Sequence, residues 1–193
     1  MRRPVLLALV ILCSALLVTP PSQSQTTTTT GTVQELGPFT YYNFRSSDGT
    51  TVSGTSQQIG SFTYYTLRDS GGTSTSGNSQ ELGPFTYYNL RSSGTAAGQL
   101  ESSTTTGTSQ EIGAFSYYDF RTSGTNAGNF ETTNTTGTSQ EIGPFTYFSF
   151  LSSDGSSTSG STQTLGTIDY WSLTQTEPAE MDTNPFSSIF EDD

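Results

Sequence analysis

Three features of this sequence predict an all-β fold, a tandem-repeat β-solenoid of six units. The phrase "GTVQELGPFTYY" at residues 31–42 returns in altered form at 54, 77, 107 and 137, and a worn copy, "GSTQTLGTIDYW", stands at 160. Within each copy, large side chains alternate with polar ones at a period of two, as in a strand. Glycine, serine and threonine fill the intervals, and self-similarity at a fixed period of this length marks a stacked or radial repeat.

The chain opens with Arg2 and Arg3 and an apolar run over residues 5–18, followed by small residues at Ser22 and Ser24. That order is a secretory signal peptide over 1–24, and the run is too short for a permanent membrane span. A secreted or cell-surface protein is expected. Cys13 is the one cysteine and lies in that leader, so no disulfide framework exists and stability must come from burial and strand pairing. Residues 25–30 read as a Thr/Ser linker.

The repeat domain covers 31–176. Its units start at Gly31, Gly54, Gly77, Gly107, Gly137 and Gly160, with spacings of 23, 23, 30, 30 and 23. The two long units carry their extra residues at one place, over 94–106 and 124–136, so these corners should project on the same side. A single unit buries too little to fold alone, and each copy must serve as the folding partner of the next. Residues 177–193 form an acidic tail with Phe186, Ile189 and Phe190, read as a solubilising segment or as a cover for the last coil.

Inside a unit, "VQEL" or "SQEI" is one strand and "FTYYNFR" a second. Alternation puts Phe39, Tyr41, Asn43 and Arg45 on one face and Thr40, Tyr42 and Phe44 on the other. Between the strands stands a glycine in every copy: Gly37, Gly60, Gly83, Gly113, Gly143 and Gly166. It is either the first residue of a type II′ hairpin turn or a solenoid corner. The other positions kept in all six copies are a glutamine (Gln34, Gln57, Gln80, Gln110, Gln140, Gln163) and a tyrosine (Tyr41, Tyr64, Tyr87, Tyr117, Tyr147, Tyr170). The position after that tyrosine drifts to Phe148 and Trp171, which suggests a ring wanted for packing. The invariant one suggests a hydroxyl with a fixed partner.

The corner insertions and a stacked amide ladder of the glutamines favour the solenoid. Stacking Glu on Glu and Arg on Arg opposes it, and an antiparallel hairpin array or small propeller is the alternative.

Composition excludes several chemistries. The chain has no histidine and no lysine, which removes the ordinary zinc site, the Ser-His-Asp triad and the Schiff base. No enzyme is expected and no cofactor beyond a possible calcium ion. From Gln25 onward four arginines stand against seventeen carboxylates, a formal charge of −13. Nucleic acid and anionic membrane surfaces are disfavoured partners on that count. The candidate ligand face consists of Glu35, Glu81, Glu111 and Glu141 with Arg45, Arg68, Arg91 and Arg121. It could order an acidic polymer, a glycan or calcium, or simply form surface ion pairs. "SSDG" at 46–49 and 152–155 reads first as a tight turn.

The phrase "SQEIGPFTY" at 139–147, with "SSDGT" following the strand at 46–50, resembles short tandem repeats in secreted bacterial proteins. The likeness covers residues 31 to about 174. It implies a secreted β-repeat protein and brings no catalytic residues. The expected function is structural, in a surface, matrix or filament, with end-to-end association through open terminal strands. The alternative is a carbohydrate-binding or adhesion module.

Overall fold

Each repeat folds as one antiparallel hairpin, and the turn shows why. Gly37 adopts φ +61° and is followed by Pro38, whose ring fixes a negative φ, so the pair forms a type II′ turn. The six equivalent glycines all have φ between 61° and 66°. A computed structural model describes residues 26–96, 99–126 and 129–177. The expected signal peptide and all but Glu177 of the acidic tail lie outside the described residues.

The hairpins are β1 (Thr26–Leu36) with β2 (Phe39–Ser46), β3 (Thr51–Ile59) with β4 (Phe62–Asp69), and β5 (Ser74–Leu82) with β6 (Phe85–Ala96). They continue as β7 (Gln99–Ile112) with β8 (Phe115–Asn126), β9 (Asn129–Ile142) with β10 (Phe145–Ser152), and β11 (Ser157–Leu165) with β12 (Ile168–Thr176). Every strand is antiparallel to its sequence neighbours, and β12 pairs with β1 to close a barrel.

The seam repeats the internal joints. Gly31 faces Trp171 across it, as Gly54 faces Tyr42 between β2 and β3 and Gly77 faces Tyr65 between β4 and β5. The Glu35 N–H donates to the Thr167 carbonyl at 3.2 Å, the place taken by Gln58 N–H on Pro38 and Glu81 N–H on Ser61, both at 2.9 Å. Val33 faces Tyr42 and Tyr42 faces Gly54, whereas the residue equivalent to Val33 is Ser56. Each repeat thus steps two residues along the ladder. Six such steps give a shear equal to the strand number, the ratio at which barrel strands tilt by about 36°. Equivalent residues then form rings of six at one height.

The solenoid is therefore corrected to a closed antiparallel barrel. The glycine is a hairpin turn and not a coil corner, so consecutive copies lie side by side in one sheet. The glutamines sit two strands apart and build no amide ladder. Closure also removes the open terminal strands that end-to-end growth required. The long units behave as expected: β6 to β9 extend at the end opposite the Gly turns, and the extensions pair, Ser102 with Thr125 among them.

The barrel interior is the core. One ring holds Tyr42, Tyr65, Tyr88, Tyr118, Phe148 and Trp171, and the next holds Phe44, Leu67, Leu90, Phe120, Phe150 and Leu173, all buried. The glycine that begins each unit makes room for the second ring: a Cβ on Gly107 would lie 2.2 Å from Phe120 Cδ1. The buried phenols are satisfied across the joint between repeats. Tyr42 shares a hydrogen bond with Ser56 (2.8 Å), Tyr65 with Ser79 (3.0 Å), Tyr88 with Ser109 (3.4 Å) and Tyr118 with Ser139 (3.0 Å). This reverses the expectation for the two tyrosines. The drifting one is buried with its hydroxyl bonded, and the invariant one faces outward.

Three results follow. Gly107→Ala is expected to lose about 1–3 kcal/mol of stability by overpacking, measured by denaturant unfolding, whereas Thr108→Ala on the outer wall changes it little. A chain opened at 70–73, with Thr176 joined to Thr26 by a short linker, should unfold within a few degrees of the parent, because those two residues are already paired. Alkaline pH supplies the third. Burial pushes the Tyr65 phenol up to about 12, against the opposing bond to Ser79. Burial raises Tyr42 and Tyr88 further still. The unfolded phenol ionises near pH 10 while the folded one stays neutral, so stability present below pH 10 falls as pH rises toward 12. Each such group costs about 1.4 kcal/mol per pH unit in that window. Tyr65→Phe should show a shallower decline in urea titrations between pH 9 and about 11.5.

Candidate functional site

Strand alternation decides which predicted residues meet. In the hairpin of β1 and β2, Glu35 faces Thr40, and both point inward, while Gln34 faces Tyr41 and both point outward. Arg45 shares the outer face with Tyr41. The expected Glu/Arg face therefore does not exist: the glutamates line the inner mouth at the Gly-turn end and the arginines stand on the outer wall near the other end. Among the described residues no ion pair joins the two sets.

The inner mouth carries Glu35, Glu81, Glu111, Glu141 and Asp169, with Gln58 and Thr164 completing the pattern. Among the described residues no three acidic groups converge as metal ligands would. Among the described residues two buried atoms here have no hydrogen-bond partner, Asp169 Oδ1 and Trp171 Nε1. The second has a clear origin. Trp171 occupies the position of the buried tyrosines, and the residue across the seam is Val33 where the other joints have Ser or Thr.

The Asp-Gly loops at the far end are turns. Asp48 Oδ1 accepts the Thr50 N–H and Asp154 Oδ1 accepts the Ser156 N–H, each at 2.8 Å, with Gly49 and Gly155 at positive φ. The Asp carboxylate is thus occupied by its own loop.

The outer wall gathers the remaining candidates. Along β2 the outward residues are Phe39, Tyr41, Asn43 and Arg45, and β4, β6 and β8 repeat the series with Thr66, Asn89 and Asp119 in third place. β10 and β12 end it with Leu151 and Thr174. The invariant tyrosines are partly open to solvent, from 41 % at Tyr41 to 49 % at Tyr64. Phe62 stacks on Tyr64 with centroids 6.3 Å apart, and Phe145 on Tyr147 at 6.2 Å. Each glutamine stands between two such strips: Gln57 faces Tyr64 on one side and Phe39 on the other. The result is a belt of six aromatic strips with amides between them, bordered at the turns by exposed Leu36, Ile59, Leu82, Ile112, Ile142 and Leu165.

Sequence reasoning missed two groups. The unit-leading glycines and the Ser56-type partners were given no role. Their signal was present, since the only copy with valine at the serine position is the first and the only copy with tryptophan at the buried tyrosine position is the last. Compared with known protein families, curated proteins and solved structures, the chain matches none.

Proposed function

We propose that the protein is a secreted carbohydrate-binding barrel that holds its ligand on the outer aromatic belt. The observation that carries this reading is the set of six tyrosines standing partly exposed on the outer wall, each beside the amide of a glutamine. A phenol ring offers an apolar face to the C–H face of a sugar and a polar tip to its hydroxyls, and the neighbouring amides can donate and accept. Six equivalent weak sites around one body suit a polymer, because avidity over several of them far exceeds the affinity of one.

The leader sequence and the likeness to secreted tandem-repeat proteins support secretion. The wall itself supports life outside the bilayer. Apart from Phe130 and Leu151 toward the far end, its exposed apolar residues gather near the Gly turns, with Thr, Ser, Asn and Arg beyond them, and the apolar core is inside. A membrane-spanning barrel has the opposite arrangement, with an outer apolar band about 25 Å tall. The exposed Leu and Ile at the turns also suit contact between copies, the structural role. Sedimentation of the ligand-free protein separates the two, since a monomer at high concentration leaves the belt free for glycan.

The test is binding of the full chain to a panel of plant, fungal and bacterial polysaccharides, followed by Tyr64→Ala, Tyr87→Ala and Tyr117→Ala. Each ring is expected to contribute about 1 kcal/mol, roughly fivefold in affinity, and the triple variant to lose at least tenfold with its circular dichroism unchanged. A panel that retains nothing, or a triple variant that binds like the parent, overturns the reading.

A further inference from the structure

We propose that the glycan is acidic, a uronic-acid-containing polysaccharide whose carboxylates pair with an arc of four arginines on the outer wall. This rests on the carbohydrate-binding reading and adds the ligand's charge to it.

Arg45, Arg68, Arg91 and Arg121 are all the arginines beyond Arg3. They occupy the same outward position on β2, β4, β6 and β8 and are exposed. Their cross-strand neighbours are hydroxyl or amide residues: Thr30 and Thr51 flank Arg45, and Thr106 and Asn134 flank Arg121. Among the described residues none of the four makes an ion pair. With so many carboxylates available, a mixed surface would surround each arginine with acids. Instead the strand carboxylates point inward at the mouth or sit at the loops, and Asp119 is the one carboxylate on the outer wall among the described residues. A chain with strong net negative charge thus presents a wall that is locally positive.

Equivalent positions on neighbouring hairpins lie two strand spacings across and two residues along, about 11–12 Å apart. Along each strand, tyrosine and arginine are four residues apart, about 13 Å, with Asn43, Thr66, Asn89 or Asp119 between them. Each strip therefore fits a short oligosaccharide, with a neutral sugar on the ring and a carboxylated one at the guanidinium. Guanidinium pairs bidentately with carboxylate, and an exposed, unpaired one has no competing partner to displace. Nucleic acid carries a charge on every unit and would meet widely separated cations and the repulsion of the whole chain. A polymer charged at intervals fits better. The β8 strip holds Asp119 between Tyr117 and Arg121 and should be the poorest of the four.

The test compares affinity for hyaluronate, in which uronate alternates with a neutral sugar, against neutral dextran and a single-stranded oligonucleotide, at low and high salt. Wild type is expected to bind hyaluronate at least tenfold tighter than dextran, with the difference lost in high salt. The triple variant Arg45→Gln, Arg68→Gln, Arg91→Gln should lose at least tenfold for hyaluronate and keep its thermal unfolding and its dextran affinity. Asp119→Asn should tighten hyaluronate by about two- to threefold. Equal binding of hyaluronate and dextran, or a triple variant that binds hyaluronate normally, overturns the acidic ligand and leaves the carbohydrate reading intact. Tighter binding of the oligonucleotide than of either sugar overturns it in favour of nucleic acid. Retention of no polysaccharide overturns both.

Discussion

The bond from the Glu35 N–H to the Thr167 carbonyl crosses the seam between the last strand and the first, and the rest of the structure depends on its being the same bond as at every other joint. A repeat that advances its neighbour by two residues also tilts it, and after six advances the tilt has brought the sheet round to its own edge. Fewer copies at the same step would close a narrower barrel and more a wider one, so the copy number sets the bore that the inner side chains must fill. Twelve strands already enclose a wide interior, which is why the inner rings are Tyr, Phe, Leu and Trp and why a glycine must face each Phe or Leu. Large rings fill the barrel, and bare backbone gives them somewhere to lie.

Most local structure was legible because it is decided within one repeat. Alternation in "FTYYNFR" separates the faces of the strand and insertions at one position mark one end of the fold, whereas Gly before Pro allows a II′ turn without excluding a solenoid corner, and only the hairpin pairing decides for the turn. What alternation cannot say is which face is inside. Variation at Tyr42 suggests indifference to its hydroxyl, yet Tyr42 bonds Ser56 across its joint, and the seam, where the ring is Trp171, has Val33 in the place of that serine. The quantity that changes is the pair, and a pair is visible only once the neighbour is known. Closure was illegible for the same reason. Period and composition are identical for copies stacked as coils and copies placed side by side, and the glutamine column weighed for the former although Gln on an outer wall needs no ladder.

The candidate site was half legible. Recurrence picks out the tyrosines, glutamines, glutamates and arginines, but Glu and Arg were joined into one face because both recur. A two-residue turn pairs Glu35 with Thr40 and leaves Arg45 on the opposite parity, so the hairpin itself sorts the charges. Net charge is a sum over the chain and carries no such information. A formal charge of −13 from Gln25 onward argues against anionic partners only if the charges are mixed, and here the strand carboxylates other than Asp119 face the axis while the arginines face solvent.

The six copies offer a comparison inside one chain between what folding needs and what it does not. Inner positions, which carry the packing, accept Tyr, Phe and Trp in one ring and Phe and Leu in the next. Packing constrains volume and hydrogen bonding jointly, and compensating changes satisfy it. The outer tyrosine is the same in every copy, although its ring is partly exposed and supports no buried bond. Exposed aromatic rings carry a cost in solubility, and a purely structural wall would have let some of them drift to threonine, as its neighbours have. A requirement stricter than that of the core, on residues that the core does not use, is what the proposed carbohydrate-binding belt would impose.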